Sequence, residues 1–436
     1  MNSKVTLSEA IDTDYKLYSM YVLENRAIPS YIDGLKPVHR KILYAMLNEH
    51  GGKKTKVADL GGISKYNYHH GESSAMGAAV TLTAAWNNNV PLFTGHGNFG
   101  SRLIQDAAAP RYIFASLNND FKKYFTDFEV CDKNVDPENP EPQSYLPLIP
   151  WVLVNGIEGI AVGFSCRFLP HVPSDLVKAC KLSAKGKLKS DAVIPVTFPG
   201  FKGEIVYETP TKVVTRGIVT RTKRNTWEIT ETPWGYDREQ VFNLLTKLMD
   251  DGKISDFDDN CDANGFSFTV KVDSACDAKA TKDPISYFKL EKAFTENYTT
   301  LDENGKLRLF DTKADIVNAF VEYRIGKVKQ KIAYDLQRCE EKCRWAKIKK
   351  QFIEGVVANR IDLRKFTRAT LLDYCKAAYK TTDDESVRLG NISVVDMTTD
   401  KIEELEKQIE ALTAETKRLN GLTAPEEYLR QLDGLK

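Results

Sequence analysis

Between residues 314 and 357 the apolar side chains take up the spacing of a coiled-coil seam. Ile325, Ile332, Leu336, Cys339, Cys343, Ala346, Ile353 and Val357 fall at alternating heptad core positions, with Lys329 and Lys350 intruding. Ile402, Leu405, Ile409, Leu412, Thr416 and Leu419 keep the same 3/4 rhythm behind a capping pair at Asp400 and Glu403. Two such stripes in one chain predict an antiparallel pair of long helices closed by a compact helical piece at 358–398. Two ordinary amphipathic helices of a bundle share the spacing and are the alternative.

Ahead of these helices the punctuation is denser. Residues 7–25 predict a helix through Leu17, Met20, Tyr21 and Leu23, stopped near Ile28 and Pro29. After the Asp33-Gly34 turn, Pro37 suits a first helical turn. Val38, Ile42, Leu43, Ala45 and Met46 follow at helical spacing, interleaved with Lys36, His39, Arg40 and Lys41. A basic loop over 51–66 leads to Tyr68, His69, His70, Gly71 and Glu72, then to a helix over 73–86 whose small side chains permit close approach to another surface. A glycine-rich arm follows, with Gly95, Gly97, Gly100 and Arg102. Helix, loop, helix and arm predict a winged helix-turn-helix, which offers a helix to a DNA groove and a wing to the phosphate backbone. Residues 146–150, 152–156 and 159–163 read as extended runs, and 195–275 alternate around a helix at 237–250. The expected fold class is α+β and multidomain.

From Gln105 to Phe114 the chain reads Gln-Asp-Ala-Ala-Ala-Pro-Arg-Tyr-Ile-Phe. Little bulk surrounds Arg111 and Tyr112, so a large anionic substrate could meet both. A tyrosine hydroxyl has an ordinary pKa of about 10 and is ionised to about one part in a thousand at neutral pH, a cost of roughly 4 kcal/mol. A neighbouring guanidinium cannot act as a base, but its donor fork suits a phosphate and its charge favours phenolate. The pair points to phosphoryl chemistry with Tyr112 as nucleophile, although an isolated Arg-Tyr dipeptide is far more often ordinary packing. His69 and His70 would point apart on a helix, so hydrogen bonding to phosphate or to the tyrosine suits them better than metal ligation.

The 61 Lys and Arg nearly balance the 60 Asp and Glu, for a net charge of +1, which excludes a globally basic coat. Lys36, Arg40, Lys41, Lys53, Lys54, Lys56, Lys65, Arg102 and Arg111 nevertheless crowd into the first quarter, leaving a local phosphate-binding face. Eight scattered cysteines without a CxxC pair imply neither a zinc site nor a disulfide framework. No P-loop occurs, and Asp256, Asp258, Asp259 and Asp262 read as solvated carboxylates in a turn-rich stretch rather than a paired Mg²⁺ site. Phosphoryl chemistry here would borrow its metal from another chain. With no apolar run near 18 residues and no signal-peptide core, a cytoplasmic protein without a membrane partner is expected.

The order Glu24-Asn-Arg-Ala-Ile-Pro, Asp33-Gly-Leu-Lys-Pro-Val-His-Arg, Tyr68-His-His-Gly-Glu, Gly97-Asn-Phe-Gly-Ser, Ala107-Ala-Ala-Pro-Arg-Tyr and Val154-Asn-Gly-Ile-Glu-Gly-Ile-Ala-Val-Gly resembles the breakage-reunion subunit of type IIA DNA topoisomerases, most of all the medium subunit of the T-even phage members. The resemblance covers nearly the whole chain. It implies an N-terminal arm at 1–28, a winged-helix domain with the catalytic tyrosine at 29–145 and an α+β tower at 146–313. Coiled-coil arms follow at 314–357 and 399–420, around a C-gate dimerisation domain at 358–398, with a last helix at 421–436. It implies that Tyr112 holds a 5′ phosphate covalently while Arg111 stabilises the pentavalent charge. Arg26, Lys36 and Arg40 fall at DNA-binding or site-supporting positions, His70 at a histidine contacting the active region, and Ser73 at a serine tied to quinolone response, although Gly77 replaces the usual acid. Phe168 falls where relatives wedge an isoleucine between base pairs, and Pro110 where they carry a small non-proline residue. Partners would be double-stranded DNA, a second copy through the C-gate, and a subunit whose Toprim fold binds Mg²⁺ and whose ATPase domain binds ATP. Ending after the second coiled-coil helix, the chain leaves no room for a DNA-wrapping domain, so relaxation, decatenation or unknotting is expected. The alternatives are a DNA-binding structural protein without chemistry and a tyrosine recombinase or type IB enzyme.

Overall fold

The computed structural model describes residues 6–189 and 194–435; residues 1–5, which open the expected N-terminal arm, and 190–193 and 436 lie outside it. The chain divides into two compact units, Met1–Arg324 with Leu429–Lys436, and Ile325–Tyr428.

In the first unit a capping box between Thr6 and Glu9 starts a long N-terminal helix. Its α segments Leu7–Ala10 and Lys16–Val22 alternate with π segments Ile11–Tyr15 and Leu23–Ala27, and Val22 is its first buried residue. The chain then turns at Asp33 and Gly34. The buried Asp33 carboxylate accepts from Arg40 Nε at 2.7 Å and Nη2 at 2.9 Å, and from the backbone N–H groups of Leu35 and Tyr145, both at 3.0 Å. At Gly34, φ is +63° and a Cβ would stand 2.3 Å from the Val152 nitrogen, so only glycine fits.

Helices Pro37–Asn48 and Glu72–Thr83 pack on each other and on a three-stranded antiparallel sheet. Phe114–Leu117 is its central strand, between Thr55–Lys56 and Phe93–His96. Residues 152–156, read as extended, instead contribute to a helical turn, Trp151–Val154, buried at every position. Short, wholly apolar runs do not distinguish a buried strand from a buried helical turn. The run at 159–163 forms one side and the turn of a hairpin, Ile157–Ile160 paired with Ser165–Phe168.

Beyond it, Lys212–Arg216 is central to a sheet with Glu204–Thr209 and Glu291–Thr295, and a four-stranded sheet runs Ile254–Asp259, Phe268–Val272, Thr226–Glu231, Ile218–Lys223. Helix Arg238–Asp250, opened by a capping box at Asp237 and Gln240, lays Val241, Leu245 and Leu248 on Trp227, Ile229, Phe268 and Val270. Asp256, Asp258 and Asp259 lie in a strand rather than a turn. Asp256 pairs with Lys271 at 3.0 Å and Asp259 with Arg238 at 2.7 Å.

Helix Lys313–Val357 enters the second unit at Ile325. There it runs antiparallel to helix Thr399–Asn420, with Cys343 Sγ 3.8 Å from Thr413 Oγ1 and Lys350 Nζ 2.8 Å from Glu406. Ala346, Phe352, Ile353 and Leu405 share a core with Cys375 and Leu389 of helices Arg368–Tyr379 and Asp383–Gly390. The cap of Thr399–Asn420 is Thr398, accepting from Lys401 N at 3.3 Å, rather than Asp400.

Two stability measurements test this account. Asp33→Ala strands the buried Arg40 charge, and a loss of about 3–5 kcal/mol in urea unfolding is expected; a loss below about 1 kcal/mol would contradict the buried pair. His171 is fully buried with Nδ1 3.0 Å from the Leu153 carbonyl, and burial together with the Lys313 charge brings its pKa down to about 3. Folded His171 is therefore neutral while the unfolded chain takes up a proton below about pH 6.5. Its contribution is complete above that pH and is lost toward pH 3, at about 1.4 kcal/mol per pH unit. His171→Gln should flatten the fall in stability between pH 7 and 5 relative to the parent chain, and parallel curves would refute the assignment.

Candidate functional site

Tyr112 follows a tight turn in which its N–H donates to the Ala109 carbonyl at 2.9 Å. Both sides of the turn are tied down. Pro110 O accepts from Ala58 N at 3.3 Å, and Ile113, buried, accepts from Val57 N at 3.1 Å before the chain enters the central strand Phe114–Leu117. The Tyr112 side chain is 66% exposed, with the Arg111 guanidinium 4.8 Å from its ring centroid. Among the described residues its hydroxyl has no hydrogen-bond partner, so the phenol is presented outward with a cation beside it and no base of this chain in contact.

A second cluster forms a cleft of about 510 Å³ where the N-terminal helix, the start of helix Pro37–Asn48, the loop at 68–70, helix Glu72–Thr83 and the hairpin turn meet. Arg26, Lys36, His39 and His70 line it; Tyr112 does not. Lys36 donates to the Glu158 carbonyl at 2.7 Å, which ties the helix to the hairpin, and burial lowers its pKa. Gly159 permits the approach, since a Cβ there would lie 2.1 Å from Ala27 O. His39 accepts from Lys36 N at 3.4 Å through Nδ1, and burial with the charges of Lys36 and Arg40 brings its pKa down to about 3. It is thus a neutral donor and not a phosphate-binding cation. His70 Nε2 stands 3.4 Å from the Tyr21 hydroxyl, its pKa lowered by burial and then by Arg26 and His69. Arg26, His69 and Ser73 are exposed, Ser73 in the first turn of helix Glu72–Thr83.

Three residues expected to touch DNA are spent on the fold. Arg40 is buried on Asp33 and also donates to Leu35 O at 2.8 Å, which commits its Nε and Nη2 inside the protein. Arg102 forms a bidentate pair with the buried Glu231 and is boxed in by aromatic rings. Phe168 is 2% exposed, its ring 5.7 Å from that of Tyr298, and cannot enter a base stack without leaving the core. The hairpin instead raises Ile160, 79% exposed, at the end of its first strand. Sequence reading passed over Ile160; the signal was an apolar residue bracketed by Gly159 and Gly163. Among the described residues no group of three or more His, Cys, Asp or Glu could hold a metal ion.

Comparison with known proteins adds to this geometry. Residues 26–433 match the family model that describes the A subunits of DNA gyrase and topoisomerase IV. The chain is 36% identical over 446 residues to the DNA topoisomerase medium subunit of Enterobacteria phage T4, covering 99% of this chain and 98% of the phage one. It is 33% identical over 377 residues to DNA topoisomerase 2 of Plasmodium falciparum, covering 82% of this chain but only 26% of that protein. Among solved structures it matches the DNA-binding, cleavage and re-ligation domain of Plasmodium falciparum topoisomerase II with a TM-score of 0.89 and 27% identity, over 98% of this chain and 63% of that one.

Proposed function

Because this chain belongs to the family of DNA gyrase and topoisomerase IV A subunits, we propose that Tyr112 is the nucleophile with which it cuts and rejoins DNA. The phenolic oxygen, losing its proton to solvent, attacks a backbone phosphorus. The 3′ oxygen of the adjoining nucleotide leaves, takes up a proton, and the 5′ phosphate stays on the tyrosine. Return attack by the 3′ hydroxyl reverses the exchange, and since one phosphodiester replaces another, resealing needs no further energy. The carrying observation is the outward phenol with the Arg111 cation on its ring, where that charge can meet the developing pentavalent anion.

In this reading Arg26, Lys36, His39, His69, His70 and Ser73 hold the DNA backbone near the cleft. The helices and sheet around Phe114–Leu117 form a winged-helix domain, residues 146–313 a tower, and 358–398 a dimerising C-gate. A partner chain in the cytoplasm supplies the Toprim fold that holds Mg²⁺ and the ATPase domain that binds ATP. When bound there, Mg²⁺ would neutralise charge on the scissile phosphate. Tyr112 reaches that site in trans, and duplex passage through the double-strand break relaxes, decatenates or unknots DNA.

Tyr112→Phe should retain DNA binding within about twofold yet give no detergent-stable adduct with partner and Mg²⁺ present. Adducts from the Phe variant, or attachment to a 3′ end, would remove Tyr112 from this role. The wedge is reassigned to Ile160: a kink that opens a base step takes an apolar side chain that is already exposed. Ile160→Ala should reduce the bend of a bound duplex measured by energy transfer, whereas an unchanged bend angle rules the wedge out.

A further inference from the structure

The geometry points to Arg102 as a positioning residue that holds the Tyr112 arm against the four-stranded sheet. This rests on the assignment of Tyr112 as nucleophile. The arm leaves strand Phe93–His96, loops out, and closes where Ala108 N donates to Asn98 O at 3.0 Å, four residues before Tyr112. Within the loop, Ser101 N donates to Ile104 O at 2.7 Å, and the Ser101 hydroxyl accepts from Leu103 N and Ile104 N at 3.2 Å, which presents Arg102 at a tight tip.

The tip is locked on a different part of the unit. Arg102 Nη1 lies 2.9 Å from Glu231 Oε2 and Nη2 lies 2.8 Å from Oε1, a fork-to-fork pair, with a longer contact from Nη2 to Thr232 O at 3.4 Å. Glu231 is 3% exposed, and its oxygens also accept from Lys202 N at 3.1 Å and Thr232 N at 2.8 Å. The rings of Phe201, Trp234 and Phe266 surround the guanidinium at 5.2–5.5 Å. Next door, Leu103 packs against the core of that sheet and its carbonyl accepts from Arg238 N at 3.0 Å. An arginine in a loop expected to track phosphate is thus committed to an internal receptor, with no free face for DNA. Its effect on the reaction is to limit where the outward phenol can travel. A tyrosine serving a neighbouring chain's metal must arrive with little freedom to spare, since misplacement by about 1 Å costs up to about 100-fold in rate.

The test uses the full chain assembled with its partner chain, Mg²⁺ and a 3′-labelled duplex, whose label stays on the fragment held by the tyrosine. Arg102→Ala should lower the single-turnover rate of adduct formation at saturating DNA by between about 10-fold and 100-fold while leaving the duplex Kd within about threefold. Arg102→Lys, which keeps one charge contact but neither the fork nor the stacking, should recover part of the rate, and Glu231→Gln should fall between them. An unchanged rate at saturating DNA overturns the proposal. So does a tenfold or greater weakening of Kd with an unchanged saturated rate, which makes Arg102 a DNA contact. Should Arg102→Ala fail to fold, Arg102→Lys and Glu231→Gln carry the same reading. Adducts formed by Tyr112→Phe would instead defeat the nucleophile assignment, an outcome separable from any Arg102 result.

Discussion

Asp33 is a fully buried carboxylate whose oxygens take four hydrogen bonds, from the Arg40 side chain and from the backbone at Leu35 and Tyr145. A buried charge is tolerable only when paired and fully hydrogen-bonded, so this knot determines how the chain enters helix Pro37–Asn48. Gly34, wedged against the Trp151–Val154 turn, leaves no slack in the same place. With the helix start held, Lys36 and His39 face the cleft and Lys36 reaches the hairpin carbonyl at Glu158. Lys41, one turn on, is also spent internally on Glu141, Asn139 and Tyr66 O. Basic residues that look alike in the chain therefore divide into structural and available ones according to which carboxylate lies opposite.

The site has two halves of contrasting character. The cleft is built from five elements, and burial lowers the pKa of its Lys36, His39 and His70. Tyr112 stands apart on an anchored turn, exposed, with a cation and, among the described residues, no base in contact. A phenol displayed in this way fits the proposed chemistry, divided between chains. The Arg102 anchor supplies what such a display needs, which is an outward group on a restrained support.

Much of the fold was legible from periodicity. Helices at 37–48 and 238–250 and the long C-terminal pair follow from apolar spacing and caps, because those signals are local, while the small-residue helix expected over 73–86 runs over Glu72–Thr83. The Trp151–Val154 turn was not legible, since four consecutive apolar residues carry no period. Nor was the displaced cap at Thr398, where two neighbouring polar residues compete for one role. At the site, Tyr112 and Arg111 were legible as residue types, and Arg26, Lys36, His39 and His70 do share one cleft. The burial of Arg40, Arg102 and Phe168 was not legible because position in a motif does not reveal burial, and Ile160 was passed over because exposure of an apolar side chain is decided by the hairpin that carries it.

By itself the sequence determined the helical spacing, the turn glycines and the presence of a tyrosine next to an arginine in a run of small residues, all of which act through neighbours along the chain. Only the tertiary structure decided which cations are free, which aromatic ring is core and which apolar side chain stands in solvent. Those outcomes depend on partners distant in sequence, such as Asp33 with Tyr145, Arg102 with Glu231 and Phe168 with Tyr298, and no local pattern encodes the meeting of groups that far apart.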